Sequence, residues 1–226
     1  MPVKPIDSWL TQWQALQQRV LASSGTFRVV VVGGGAGGVE LALSTQHRLR
    51  ALLAGQGDDP ERLHYEVLTD GDEIFSTHNA GVRRRFTRIL GERGIALHTG
   101  HRVVEVTADA VHVEDRTARQ ADAVLWVTQA SAPDWPTRAG LAVDESGFIQ
   151  VNRYLQSTSH PEVFAAGDIA AMPDPRPKSG VFAVRQGPVL TENLRRASRG
   201  RALQPYRPQR NFLGLISTGD RYAVAS

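Results

Sequence analysis

The sequence predicts an α/β fold built on a small parallel sheet, and three observations carry that expectation. Arg28 to Leu43 reads as strand, glycine turn and helix in immediate succession. The rest of that helix and a loop lead to a second strand-like run, Tyr65 to Leu68, which closes a βαβ unit. Later strand-like runs are joined by short polar connectors, which add an antiparallel element rather than another helical crossover.

The first of these stretches holds most of the information. Val29 to Val32 is a short β-branched apolar run, better suited to a buried strand than to a helix. Gly33, Gly35 and Gly38 follow at G-x-G-x-x-G spacing, and each has a separate duty in a dinucleotide site. Gly33 lets the chain leave the strand tightly, Gly35 lets a pyrophosphate approach bare backbone, and Gly38 lets the helix lie close to the strand. The helix opened by Val39, Leu41, Ala42 and Leu43 would point free N–H groups and a positive dipole end at that anion. The position directly after a strand and at the start of a helix gives the spacing its meaning; a purely structural glycine turn is the rival reading. Candidate cofactor contacts here are Gly33, Gly34, Gly35, Ala36, Gly37 and Gly38. By spacing alone, Glu40 is an acidic residue in a first helical turn, where the dipole favours it.

Composition narrows the function classes. At 226 residues the chain can form one large domain or two small ones and bury a sizeable core. Apolar content of 41% and charged content of 22% are those of a soluble globular protein. A net charge of +3, without a helix-turn-helix or zinc pattern, does not argue for nucleic acid. No apolar run has the length of a membrane span, and no apolar region follows Lys4, so no signal peptide is read and a cytoplasmic location is expected. Cysteine is absent, which removes disulfides, thiolate metal sites and a redox dithiol from this chain. The seven histidines are scattered without metal-ligand spacing, and there is no G-x-S-x-G elbow. No metal and no catalytic side chain is therefore expected.

In order, Ile6 to Leu21 forms an amphipathic helix that Asp7 can cap. The helix after the glycine turn runs to about Leu53, and GQGDDP at 55–60 is a loop. Asp70, one place later than the usual acidic position after the second strand, which Thr69 takes, is a candidate for the adenosine ribose, which would favour NAD over NADP; a turn-forming Asp before Gly71 is the alternative. Val82, Phe86, Ile89 and Leu90 mark a helix whose Arg83, Arg84, Arg85 and Arg88 read as a solvated face, with phosphate binding as the lesser alternative. Ile95 to His98 is a strand. Arg102 to Val106, Val111 to Glu114 and Ala123 to Val127 are expected to form a three-stranded antiparallel flap. The character changes at Thr128. Phe148 to Val151 and Val163 to Ala166 read as strands, the second ending in Gly167-Asp168. Val181 to Arg195 reads as a helix, interrupted at Gly187-Pro188.

The segments VVVVGGGAGGVELAL, ADAVLWVTQA and HPEVFAAGDIAAMPDPRPKSGVFAVRQGPVL, in that order, resemble the pyridine nucleotide-disulfide oxidoreductase superfamily of flavoproteins. Within it they look like type II NADH dehydrogenases, and closer still like the flavoprotein module fused ahead of selenide, water dikinase in some bacteria. The resemblance implies a Rossmann-like NAD(P)-binding domain with a β-meander, inserted in an incomplete FAD-binding domain. Residues 1–24 would be a helical connector from the FAD half, 25–128 the NAD(H)-binding domain, and 129–226 a partial C-terminal half of the FAD-binding domain. Gly33, Gly35, Gly38 and Glu40 would line the NADH site, with Glu40 near the nicotinamide. Gly167 and Asp168 would hold FAD, although a plain strand-end turn is the alternative for them. Lys178, Gly180 and Val181 would face the flavin ring.

The implied function is an NADH-dependent, FAD-containing oxidoreductase passing a hydride from NADH to FAD and on to an unknown acceptor. A non-catalytic NAD(H)-binding sensor or regulatory module is the alternative, and a scaffold piece with a structural glycine turn is a second. The implied partners are the missing FAD-domain segment of its own full-length protein and a fused or associated selenide, water dikinase. The chain departs from the family pattern in several places. Only one G-x-G-x-x-G turn is visible, so the chain is expected to be inactive and colourless alone. Gln129 stands where a strand-end glycine is expected. Val181 and Arg185 stand where quinone-reducing relatives carry glutamines, with Gln186 kept, which weighs against quinone as acceptor. Disulfide reductases and sulfide:quinone oxidoreductases use cysteine pairs, which this chain cannot supply.

Overall fold

The computed structural model describes residues 1, 6–127, 132–209 and 213–226, with backbone only for 6–8. The expectations resting on Asp7, Thr128 and Gln129 fall outside the described side chains or residues. The chain divides into two compact units, Met1–Gln129 with Leu213–Ser226, and Ala130–Phe212.

The first unit holds the parallel sheet, with strands β1 (Phe27–Val32), β2 (Leu63–Leu68), β3 (Ile95–His98) and β7 (Ala123–Trp126) in the order β3-β2-β1-β7. Its crossovers are helices α2 (Ala36–Gly55) and α3 (Ala80–Glu92). Strand periodicity divides β1 between two cores. Val29 and Val31 join a cluster with Val39, Leu43 and Leu49 of α2, Phe86 and Leu90 of α3, and Leu16 and Val20 of α1 (Ile6–Ala22). Val30 and Val32 pack on the opposite side with Leu68, Val124, Val111 and Ala121.

That second side is covered by an antiparallel meander, β4 (Val103–Val106), β5 (Ala110–Val113) and β6 (Ala118–Gln120), in the order β4-β5-β6. This corrects the expected flap. Its third strand is Ala118–Gln120, and Ala123–Trp126 returns to the parallel sheet beside β1. The reason is burial: Ala123, Val124 and Leu125 are buried, whereas Ala118-Arg119-Gln120 is a polar flap edge with no apolar alternation to reveal it. Arg119 ties the flap to the sheet through Glu66 of β2 at 3.1 Å and the ring of His98 on β3 at 3.3 Å.

The last residues form a hairpin, β10 (Leu215–Ser217) and β11 (Ala223–Ala225), whose Ile216 and Val224 enter the first core. Helix α1 and this hairpin thus pack with the glycine-turn unit.

The second unit carries the short helix α4 (Trp135–Arg138), the parallel pair β8 (Ile149–Gln150) and β9 (Ala170–Ala171), and α5 (Gly180–Ala197). Leu141, Ile149, Val151, Ala165 and Ala170 form its apolar cluster. Val163 to Ala166 is not the expected strand: Phe164 makes an isolated bridge to Gln156, and the ladder forms at Ala170–Ala171, beyond a 3-10 turn at Gly167–Ile169. Helix α5 continues through Gly187-Pro188. It is anchored by the fully buried Asn193, whose amide donates to Tyr154 O and Gln204 O while its carbonyl accepts from Gln204 N.

Candidate functional site

The glycine turn is built from β1, the start of α2 and the end of β2. Gly33 continues the ladder, its N–H donating to Leu68 O at 2.8 Å, then turns the chain at φ 133°, a conformation open to glycine. A Cβ on Gly38 would lie 2.0 Å from Gly33 O, so only a glycine lets α2 pass this close to the strand end. Gly35, the residue before α2, has φ −74° and ψ 175°, is exposed, and would meet nothing within 4 Å if it carried a Cβ. Its neighbour Gly34 is buried, and a Cβ there would overlap the Thr69 side chain at 2.7 Å. Ala36 and Gly37 open the helix; a Cβ on Gly37 would meet only Val127 Cγ1, at 3.7 Å. The corner thus presents bare backbone, a 20-residue helix start and open space together. That combination fits a diphosphate.

The other predicted residues of this unit lie as follows. Glu40 is half-buried and its Oε1 accepts the Ser217 N–H at 2.7 Å, which hooks the terminal hairpin to α2. Thr69 occupies the usual acidic position after β2 but is buried against Gly34, and Asp70 follows it, exposed. The arginines of α3 are mostly engaged locally. Arg83 pairs with Glu73 at 2.8 Å, Arg85 contacts the Tyr222 hydroxyl, and Arg88 faces Glu92 at 3.5 Å, which favours the solvated-face reading.

In the second unit, Gly167, Asp168, Lys178, Ser179, Phe182, Ala183 and Gln186 line a cavity of about 130 Å³. Gly167 sits at φ 74°, and its N–H donates to Oε1 of the buried Gln186. The Lys178 ammonium donates to Ala170 O at 2.6 Å and stands 3.9 Å from the centre of the Phe148 ring. Burial lowers the pKa of that ammonium, opposed by the carboxylates of Asp144 and Asp168. Gly180 and Val181 begin α5 and are not among the lining residues. Ser179 precedes α5, yet its hydroxyl caps no backbone N–H; the oxygen is buried without a hydrogen-bond partner. An orphaned hydroxyl at a helix start beside a cavity fits a polar ligand group. Among the described residues no cluster of His, Cys, Asp or Glu could hold a metal, and no helix is long and apolar enough to cross a membrane.

The sequence reading missed Phe75 as a neighbour of the turn, and it noted Gln186 only as a retained glutamine. Nothing in the residue pattern marks the first. The second could have been found by asking what satisfies the N–H of the half-buried Gly167 at the start of its turn.

A family model described as pyridine nucleotide-disulphide oxidoreductase matches residues 7–187. The chain belongs to that family. The family uses FAD and NAD(P)H. A NADH dehydrogenase-like protein of Mycobacterium tuberculosis is 32% identical over 151 residues, covering 66% of this chain and 37% of that protein. A demethylphylloquinone reductase of Synechocystis is 27% identical over 215 residues, covering 91% of the chain and 51% of that protein. Among solved structures, the sulfide:quinone oxidoreductase of Aquifex aeolicus superposes with a TM-score of 0.75 at 16% identity, covering 97% of this chain and 54% of that one. A ferredoxin reductase from Rhodopseudomonas palustris gives 0.69 at 21% identity, covering 92% and 48%. At these identities the structural likeness is one of fold. The chain spans about a third to a half of the curated relatives it matches.

Proposed function

We propose that this chain supplies the NADH-binding turn and part of the flavin site of an NADH-dependent flavin oxidoreductase. The observation that carries the reading is the corner at Gly33 to Gly38, where Gly33 and Gly38 have structural reasons to be glycine and Gly35 has none. Gly33, Gly34, Gly35, Ala36, Gly37 and Gly38 would surround the coenzyme diphosphate, with Asp70 toward the adenosine ribose. Glu40 would lie on the nicotinamide side, its second oxygen available while Oε1 holds Ser217.

Gly167, Asp168, Lys178 and the orphaned Ser179 hydroxyl would contact the flavin, with Gly180 and Val181 at the helix start behind them. FAD, when bound, supplies the two-electron acceptor for the hydride of NADH. What this chain contributes is positioning and exclusion of water, because hydride transfer needs no acid or base from the protein. That agrees with the absence of any triad from the sequence.

The electron acceptor stays open in this reading, with quinone disfavoured by Val181 and Arg185. Association with a selenide, water dikinase rests on the resemblance of the quoted segments. We further propose that the chain alone holds FAD weakly and purifies colourless, because one glycine fingerprint is visible and it belongs to the NADH turn. Titration of NADH, followed by nicotinamide fluorescence, tests the first site. Addition of FAD with an artificial electron acceptor then separates an oxidoreductase from a sensor. No change in fluorescence at millimolar NADH would sink the reading, and a yellow preparation with stoichiometric flavin would overturn the proposal of weak FAD binding.

A further inference from the structure

The peptide joining Gly34 to Gly35 is held from two sides by residues outside the glycine motif. Its carbonyl accepts the Phe75 N–H at 2.9 Å. The place of a Cβ on Gly34 is filled by Thr69, whose Cβ and Oγ1 both lie 2.7 Å from it. A trans peptide points its C=O and its N–H in opposite directions. With the carbonyl drawn toward Phe75, the Gly35 N–H is turned away from segment 69–75. Gly35 itself is exposed, with open space where a side chain would be.

We propose that Thr69 and Phe75 are positioning residues, which lock the Gly34–Gly35 peptide so that the Gly35 N–H is aimed at the coenzyme diphosphate. The proposal rests on the reading of this corner as the NADH site.

Both holders are themselves fixed. Thr69 is 7% exposed; its N–H donates to His98 O at 3.0 Å and its carbonyl accepts from His101 N at 2.8 Å. Phe75 adopts φ 54°, a left-handed conformation that a bulky residue takes only when its surroundings over-determine it. Those surroundings are present. The ring is 1% exposed, stacked on Phe86 with centroids 4.6 Å apart and edge-on to His78 at 5.2 Å. The Phe75 carbonyl accepts His78 N at 2.8 Å, and Asn79 then caps α3 through Val82 N at 3.0 Å. A strained, buried residue in an otherwise mostly exposed loop, whose N–H reaches the middle of a glycine turn, is explained if the orientation of that peptide matters. A turn that served only the fold would need no such lock, because Gly33 and Gly38 already set the chain path.

The test follows the Gly35 amide resonance of the ¹⁵N-labelled chain during titration with ADP-ribose. In the parent this amide should shift strongly on binding. Thr69→Ala removes the Oγ1 and Cγ2 that pack beside Gly34, leaving only the Cβ, and should weaken ADP-ribose about two- to tenfold, because the competent peptide orientation is then only partly populated. The Gly35 shift should shrink with it. Thr69→Val keeps the shape and should restore both. Phe75→Gly, which tolerates φ 54° but loses the ring anchor, is the second variant and should behave like Thr69→Ala. Thr69→Ala and Phe75→Gly that bind ADP-ribose as the parent does, with the same Gly35 shift, would overturn the lock while leaving the NADH site standing. So would weaker binding with an unchanged Gly35 shift, which would mark a merely structural effect. A parent chain that does not bind ADP-ribose at all would remove the site and the lock together.

Discussion

Gly35 and Gly38 are three residues apart in one motif, and substituting each should fail in opposite ways. In Gly38→Ala the new methyl would lie 2.0 Å from Gly33 O and 2.9 Å from Gly33 C, both backbone atoms. An ordinary carbon–oxygen contact needs more than ~3 Å, so α2 must move off β1 by about 1 Å or the turn must distort. Overpacking against side chains costs ~1–3 kcal/mol, and against rigid backbone the upper end or beyond applies. Gly35→Val meets nothing within 4 Å and keeps an ordinary φ of −74°. Its cost should be about 0.5–1 kcal/mol, the loss of a tolerated residue at a helix N-cap. The isopropyl group would nevertheless stand where the diphosphate must touch backbone. A loss of about ten- to a hundredfold in NADH affinity is expected, equivalent to ~1.4–2.8 kcal/mol. Thermal melting and NADH titration on both variants separate the two effects. Gly35→Val with parental NADH affinity, or Gly38→Ala with a parental melting point, would refute the division of duties between the two glycines.

Three further outcomes follow from the contacts described. Glu40→Ala removes the acceptor of Ser217 N and should cost about 1.5 kcal/mol; the Ser217 amide should exchange faster with deuterium, and unchanged protection would refute the hook. Gln186→Leu leaves the Gly167 N–H without its acceptor beside a buried helix face and should cost about 1–3 kcal/mol in urea melts, whereas Gln186→Glu, which keeps an oxygen there, should cost less. His98 is held below its ordinary pKa by burial first and then by the Arg119 guanidinium, against the pull of Glu66. Below about pH 6.5 the unfolded chain therefore binds more protons at this site than the folded one, and stability falls as pH drops toward the folded-state pKa. His98→Asn should flatten that slope between about pH 7.5 and about pH 5.5, and a variant with the parental slope would show that the lost stability arises elsewhere.

How far the residues alone led depends on which residues they were. The parallel sheet and its two crossovers were plain because Val29 to Val32 is β-branched throughout, Tyr65, Val67 and Leu68 are apolar, and α3 carries a single apolar stripe of Val82, Phe86, Ile89 and Leu90. Strand β3 was placed at Ile95–His98. Ala118–Gln120 was missed because a flap strand of three residues, with Arg119 turned to Glu66 and His98, has no hydrophobic period to read. Ala123–Trp126 was read as a strand but given the wrong neighbours, since a buried apolar run does not say which sheet it joins. The hairpin at 215–225 lies far in sequence from α2. No local pattern could announce that Ser217 binds Glu40, or that Arg93 pairs with Asp220. The glycine turn was visible as a motif, but its neighbours Thr69 and Phe75 were not, because they arrive from the end of β2 and the loop beyond it.

The spacing of three glycines leaves function undecided until each absent side chain is asked what it makes room for. At Gly38 the answer is backbone, at Gly34 it is the side chain of Thr69, and at Gly33 it is a positive φ. The requirements at Gly38 and Gly33 would arise in any tight strand-to-helix corner and say nothing about a ligand. At Gly35 there is no clash and no unusual dihedral, and a serine or aspartate there could accept a hydrogen bond from the first turn of α2. A residue that the fold does not require, at a position where another would stabilise the helix, points to something outside the chain. The open side of the corner at Gly35 and Gly37 and the helix dipole behind it fit an anion, as the proposed coenzyme diphosphate requires.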